Sequence, residues 1–483
     1  HTISLSLSLC HSLAWRELSH PFPSPLPPRI PSLTLSAPRT MLHQDPPLLA
    51  LLLSLLFLPS SAPPAPIAPS PSLPSSRYRM ADEHKMARLH MAAGELVESL
   101  ASDPLDLGAY SRLEVVCKDH GEHNSRLRIL ATMQRLSPDI ASYVRVNRAY
   151  ALGDRVFWHA KACRFEERER DFVLWRGMWE RGEWEEAMSE HGMTLPVLPF
   201  YSLVFPFTMQ QVFTVSRAWS SRFANNIRSE PLPSPFGHPY LDDFAREGKL
   251  RVGFVSSDLY RIHPVGKSIN ALLRMLDPNR FEVFGFLVVS SQLDEASQLE
   301  EGTGGVLLVD LSVESSAEGA ISINQEGVHI LIDLNGHTSG VRMEIFAHRP
   351  APISIHYMGF GATIGADFID YFMSDPVIGT PELSQHYSEK LVYLPPSFYT
   401  TSYRYDTSKL PFVSRNTTYR EERAAAGLPG GGVVLCNFNH LHKTSRRMWA
   451  TWGRILKETP GSVLWTLNDS DETKGNIEAE LRR

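Results

Sequence analysis

Leu250-Arg251-Val252-Gly253-Phe254-Val255 is a short, almost wholly apolar run that stops at Ser256-Ser257-Asp258. Such a run reads as a strand buried on both faces, because a strand with one wet face would alternate apolar and polar residues. A helix is predicted over Val265 to Leu276. The pattern then repeats in Phe281 to Leu287, Val306 to Leu311 and His329 to Leu334, and continues in Ile353 to Met358 and Tyr371 to Met373. Apolar strands alternating with helical stretches predict an α/β fold with a parallel, doubly covered sheet. Further on, Val433 to Phe438 and Ser462 to Leu467 read as two more strands. Between them a helix carries Met448, Trp452 and Ile455 on one face, with Ser445 as its cap. Two strands are too few to bury both sheet faces, so residues 433–483 read as the start of a second, incomplete lobe.

Upstream of the sheet, residues 80–190 read as helical, with apolar residues at three- and four-residue steps such as Leu96, Leu100 and Leu127, Leu130, Met133. Asp103-Pro104 and Ser137-Pro138 stand 34 residues apart, the period of a tetratricopeptide repeat, with Ala109, Tyr110, Gly121 and Ala131 at plausible repeat positions. An ordinary helical bundle explains the same pattern. The aromatic stripe Phe172, Trp175, Trp179, Trp184 reads as core. Residues 191–248 form a helical linker, with Pro231, Pro233 and Pro235 marking its end. Residues 249–395 are the first lobe and 396–432 a loop-rich connection.

Residues 1–79 have a different composition, with 16 of the 36 prolines, no lysine and two acidic residues. One reading is a secretory signal starting at Met41, although no basic residue precedes its apolar run Leu48 to Leu58. The other is a leader or gene-model extension ahead of a start at Met80, where the composition turns abruptly helical and charged. Either reading excludes 1–79 from the fold. The whole chain of 483 residues has a net charge of −6, against a broad basic surface for nucleic acid. Its four cysteines lack C-x-x-C spacing, against a disulfide framework or a structural zinc site.

In parallel sheets ligands bind beyond the carboxyl ends of strands. Three polar clusters fall there: Ser256 to Pro264, Asp333 to Gly340, and Asn437-Phe438-Asn439-His440-Leu441-His442-Lys443 ahead of a helix. A lysine beside a helix N-terminus suits phosphate oxygens. His263 suits proton transfer or neutral donation. A strand-end histidine is also often structural, and a lone lysine is often a solvated charge. The Gly-rich dinucleotide and P-loop fingerprints are absent. Asp469-Ser470-Asp471 reads as a surface loop instead of a metal site.

Several strings carry a resemblance: LRVGFVSSD (250–258), FEVF (281–284), GVHILIDLNGHT (327–338), FAHRPAPI (346–353), GADFIDY (365–371), HYSEKLVYL (386–394), CNFNHLHK (436–443) and SVLW (462–465). In these the chain resembles the nucleocytoplasmic protein O-linked N-acetylglucosamine transferases, the family that includes the plant Spindly and Secret Agent proteins. The resemblance implies a tetratricopeptide superhelix followed by two Rossmann-like lobes of GT-B type. It implies transfer of N-acetylglucosamine from UDP-N-acetylglucosamine to Ser or Thr of proteins, inverting and without metal or other cofactor. It implies an enzyme of cytoplasm and nucleus, with protein substrates, no stable membrane association, and self-association through the repeats as an option. By position, His263 matches the active-site histidine, Asp258 a nearby aspartate proposed as proton acceptor, and Lys443 the lysine that neutralises the departing diphosphate. Gly359 matches the glycine beside the sugar.

The chain departs from the family in places. Phe200 replaces a histidine of the Pro-His-His-Ser segment of animal members, and Ile262 an asparagine in a loop one residue longer. Gly361 replaces the proline of Gly-Tyr/Phe-Pro-Gly-Thr, which should loosen that loop. His440 replaces the glutamine before the lysine. The family's His-Thr-Thr phosphate turn and ribose carboxylate have no counterpart before Arg483, implying a truncated sequence that would bind the nucleotide poorly as it stands. The alternatives are a non-catalytic helical scaffold with a degenerate lobe and, as in the Spindly branch, a protein O-fucosyltransferase using GDP-fucose.

Overall fold

The computed structural model describes residues 95–482 apart from 97–98, 101–102, 104–105, 120–122, 138–140, 185–194, 242–247, 260–262, 290–304, 395–396 and 401–417. The segment 1–79, Pro104, Gly121, Pro138 and Ile262 therefore lie outside the described residues. In chain order the helices are α1 (Leu107–Asp119), α2 (His123–Leu136), α3 (Ala141–Lys161), α4 (Phe165–Glu180), α5 (Pro199–Ser202) and α6 (Met209–Asn226). There follow β1 (Leu250–Ser256), α7 (Pro264–Met275), β2 (Phe281–Leu287), β3 (Val306–Asp310), α8 (Ser316–Gln325), β4 (Ile330–Asp333), α9 (Met343–Ala347) and β5 (Ile353–His356). The chain continues through β6 (Tyr371–Ser374), β7 (Lys390–Tyr393), α10 (Tyr419–Ala425), β8 (Val434–Asn437), α11 (Arg446–Glu458), β9 (Val463–Thr466) and α12 (Asp471–Arg482). Contacts divide it into two compact units. One holds residues 197–443 and 451–468, and the other the helical residues up to 196 with 444–450 and those from 469 onward.

In the helical unit α1 to α4 each pack on the next. The starts of α1 and α3, at 107 and 141, keep the 34-residue spacing, whereas those of α2 and α4, at 123 and 165, do not. Ala109 and Tyr110 are buried as a repeat requires, but Ala131 is exposed. Buried ion pairs join the helices, since a charge away from water needs a partner. Arg126 of α2 pairs with Glu114 of α1 and, at 2.8 Å, with Asp154 of α3. Asp171 of α4, fully buried, accepts from Arg155 Nη2 at 2.9 Å and lies 3.3 Å from His159 Nε2, both on α3. Burial alone would raise this carboxyl, but the His159 hydrogen bond and the Arg155 charge outweigh it and hold its pKa below the usual range. Phe172, Trp175 and Trp184 are buried, as core residues. The C-terminal helix α12 belongs to this unit: Asn476 Nδ2 donates to Ala162 O at 2.8 Å, and Arg164 Nε donates to Glu472 Oε1 at 2.8 Å. Ser470 caps that helix, its Oγ accepting from Thr473 N.

The other unit is built on a seven-stranded parallel sheet, ordered β3-β2-β1-β4-β5-β6-β7. Successive residues of one strand enter two separate cores. Val283 and Leu287 of β2 face one core with α7, while Phe284 and Phe286 face the other with α6, α8 and α9. That is why these strands read as continuous apolar runs. The strand order reverses direction between β1 and β4, which opens a crevice at their carboxyl ends. Strands β8 and β9 form a second parallel pair. Two parallel α/β sheets in one chain, the second of two strands among the described residues, fit a GT-B glycosyltransferase preceded by a helical region.

Two features differ from the sequence reading. Strand β7 is not among the predicted strands: it is a short, mostly exposed edge strand, and its run Leu391-Val392-Tyr393 shows no alternation that would set it apart from a loop. In α11 the buried residue is Trp449, whose Nε1 donates to Thr444 Oγ1 at 2.9 Å, whereas Met448 and Ile455 are 39% and 41% exposed. Periodicity identifies a stripe but not what packs against it. Ser445 caps the helix as expected, accepting from Met448 N at 3.3 Å.

Candidate active site

The crevice between β1 and β4 is organised by one side chain. Asn335, buried just past β4, accepts from Ser257 N at 2.8 Å through Oδ1. Its Nδ2 lies 2.6 Å from Ser257 Oγ, 3.0 Å from Asp258 Oδ2 and 3.2 Å from Thr338 Oγ1. Asp258, half-buried, also donates its backbone N–H to Ser256 Oγ at 2.9 Å. Ser257 Oγ in turn donates to Ser339 O at 3.0 Å. Gly340, with φ of +75°, lets that loop close on Ser257, where a Cβ would lie 2.6 Å from the serine Cβ.

The loop after β5 presses on the same place. Met358 has φ of +74°, which is strained for a side chain of its size. The next residue, Gly359, lies so close to Leu334 that an added Cβ would be 2.0 Å from Leu334 O and 2.8 Å from Asn335 O. Beyond it Gly361 is exposed, with nothing within 4 Å of a would-be Cβ. Ala362, Thr363 and Ile364 are buried again, and Glu389 holds them: Thr363 Oγ1 donates to Glu389 Oε2 at 2.7 Å and Ile364 N to Oε1 at 2.6 Å.

His263 is the N-cap of α7, with Pro264 in the first turn, and its Nδ1 accepts from Val265 N at 3.3 Å. An Nδ1 that accepts leaves the proton of a neutral ring on Nε2, which makes the ring a donor there. His337 is structural. Buried, it donates through Nε2 to Ile364 O at 2.8 Å, stacks on Phe223, and is pushed by burial down to about 4, so it is neutral. Lys443 ends a short turn, Leu441–Lys443, and is exposed, with its ammonium 5.9 Å from the centroid of the Phe200 ring. The His440 and His442 rings stack beside it at 5.5 Å. Among the described residues no group of three His, Cys, Asp or Glu is placed to hold a metal ion, and no helix is long and apolar enough to cross a membrane.

The sequence profile of glycosyl transferase family 41 matches residues 189–415 and 413–482, more than half of the chain. The chain belongs to that family. It is 35% identical over 274 residues to the probable UDP-N-acetylglucosamine–peptide N-acetylglucosaminyltransferase SEC of Arabidopsis thaliana. It is 32% identical over 232 residues to the UDP-N-acetylglucosamine–peptide N-acetylglucosaminyltransferase of Caenorhabditis elegans. The alignments cover 56% and 47% of this chain, but the chain spans 27% and 20% of the length of these relatives. A solved O-GlcNAc transferase mutant of Thermobaculum terrenum superposes with a TM-score of 0.47 at 20% identity, over 90% of this chain and 72% of that one.

Of the residues singled out from sequence in this family 41 chain, Asp258 and Gly359 meet at the β1–β4 crevice, joined through Asn335 and Leu334. Lys443 meets Phe200, the residue that stands where animal members have a histidine. Among the described residues it makes that ring contact and none with Asp258 or His263. Asn335 falls inside the second polar cluster, Asp333 to Gly340, without a role of its own, and His356 and Glu389 fall in none of the clusters. Asn335 had a usable signal, an amide two residues past the strand-ending Asp333. Glu389 had none, because its partners lie about 25 residues upstream and only the fold brings them together.

Proposed function

We propose that this chain carries one lobe, and the beginning of the second, of an enzyme that moves N-acetylglucosamine from UDP-N-acetylglucosamine to Ser and Thr hydroxyls of proteins, with inversion and without a metal. The reading rests on the Asn335 bridge, which holds Asp258 at the switch point of a family 41 sheet. The acceptor hydroxyl must lose a proton and the departing diphosphate must be neutralised. His263, whose neutral ring carries its proton on Nε2, is suited to donate a hydrogen bond, which leaves proton acceptance to Asp258. Lys443, poised on the Phe200 ring, supplies the positive charge for the leaving group. The helical unit presents protein substrates, and the enzyme works in cytoplasm and nucleus.

The test is transfer from UDP-N-acetylglucosamine to an acceptor peptide by the full-length enzyme that carries this chain and by its Lys443→Ala variant. Removing a charge that stabilises the leaving group is expected to lower kcat by about 10²–10³ with acceptor KM unchanged. Equal kcat in variant and wild type would remove Lys443 from the mechanism. Competition by GDP-fucose distinguishes the two donor sugars.

A further inference from the structure

Asp333 and His356 are the last residues of neighbouring strands β4 and β5 and are register partners. Both are buried, His356 completely. His356 Nδ1 lies 2.6 Å from Asp333 Oδ2, and Nε2 lies 2.8 Å from Phe360 O. A carbonyl oxygen can only accept. Asp333 is already an acceptor for Asn335 N at 3.0 Å and Gly336 N at 2.8 Å. Nε2 must therefore donate, and with Asp333 as a carboxylate Nδ1 donates as well, which makes the ring a buried imidazolium.

This pair touches both loops of the candidate site. Through Asp333 it holds the amides of Asn335 and Gly336, and Asn335 is the residue that holds Asp258. Through Phe360 O it anchors the residue after Gly359. Gly336, with φ of +59°, has its would-be Cβ 2.8 Å from His356 Cε1 and 2.5 Å from Phe360 Cβ, so the two loops close directly on the ring.

We propose that the Asp333–His356 ion pair is the positioning element of this site, locking the loop that carries Asn335 to the loop that carries Gly359 and releasing both when the imidazolium loses its proton. The proposal deepens the transferase reading and rests on it for the site's purpose. The groups facing His356 are Asp333 at the end of β4, the neutral His337 on the following loop, and Glu389 ahead of β7, with Phe360 and Phe372 as apolar neighbours. Burial alone would favour the neutral ring. The Asp333 hydrogen bond and charge, with the Phe360 carbonyl and the Glu389 charge, outweigh it and raise the pKa above its ordinary value. The imidazolium thus persists to higher pH than that of a free histidine and is lost as pH rises through the raised value.

The full chain, labelled with nitrogen-15 in its histidines, is titrated from acid to alkaline pH, with the His356 ring identified by its loss in His356→Gln. Hydrogen exchange of peptides spanning 333–340 and 356–362 is followed over the same range. The wild type is expected to keep both ring nitrogens protonated at neutral pH. As the ring deprotonates, both loops should exchange about tenfold faster than intrinsic alkaline acceleration explains, while β2 does not. Asp333→Asn should neutralise the ring at neutral pH and loosen both loops there. A neutral His356 at neutral pH, or loops whose exchange does not follow its titration, would overturn the proposal. The wild-type titration decides the matter even where the variants fail to fold. Absence of sugar transfer by the wild type would count against the transferase reading alone, since neither readout uses a substrate.

Discussion

Replacing Gly359 by alanine places a methyl carbon 2.0 Å from Leu334 O and 2.8 Å from Asn335 O. Carbon and oxygen in contact need about 3.2 Å or more, so the β4 and β5 loops must part by roughly 1 Å. The opposing atoms are backbone, and no side-chain rotation relieves them. Forced overpacking of this kind costs about 1–3 kcal/mol. The displaced carbonyl belongs to the residue before Asn335, so the Asn335–Asp258 hydrogen bond should lengthen as well. Gly361, two residues on, is the internal control. A methyl there meets nothing within 4 Å, and its φ is not positive. Gly361→Ala should stabilise by about 0.4–1 kcal/mol through the unfolded chain, or do nothing. The assay is urea unfolding of both variants beside wild type, followed by transfer from UDP-N-acetylglucosamine. Gly359→Ala is expected to lower stability by about 2 kcal/mol and to reduce kcat/KM well beyond Gly361→Ala. Equal midpoints and equal kcat/KM for the two variants would refute the claim that these two loops touch through backbone.

Asn335→Ala removes the bridge between β1 and β4 and leaves Ser257 N without its acceptor, so the folded chain should lose about 1–3 kcal/mol and transfer should fall more than acceptor binding. Phe200→Ala removes the ring under Lys443, and the loss of a half-exposed cation–π contact of about 0.5–1 kcal/mol should lower kcat by about two- to fivefold. In the helical unit the folded pKa of Asp171 lies below its ordinary value of 3.8, so its contribution to stability is full above the unfolded pKa and disappears as pH falls through the folded one. Asp171→Asn should therefore flatten the acid limb of helical-unit stability below about pH 4, measured by circular dichroism, and an unchanged limb would exclude the Arg155–His159–Asp171 cluster as its source.

The seven-stranded sheet was legible nearly residue by residue in its interior. Strand β2 spans Phe281 to Leu287 as its apolar run indicated, and β1 extends one residue further than its own. Burial on both faces favours apolar residues at most positions, and that leaves a local mark in the chain. The edge strand β7 left a weaker one, the short run Leu391-Val392-Tyr393, because its mostly exposed positions make no such demand. The helical spacing of 34 residues was visible and holds for α1 and α3, but the exposed Ala131 and the longer α3 could not be read from spacing alone.

The candidate site divides along the same line. Asp258 and Lys443 stand in recognisable strings, and His263 and Gly359 lie in the loops just beyond predicted strands, so their places at strand ends and turns were legible in the order of residues. Asn335 as a bridge, the Glu389 brace, the Lys443–Phe200 contact and the buried Asp333–His356 pair were decided by tertiary structure. Each joins groups that stand 23 residues apart or more and that meet only when β1, β4 and β5 lie side by side or the chain returns to α5. A hydrogen bond or an ion pair depends on separation in space within about 3 Å, and a chain states only separation along itself.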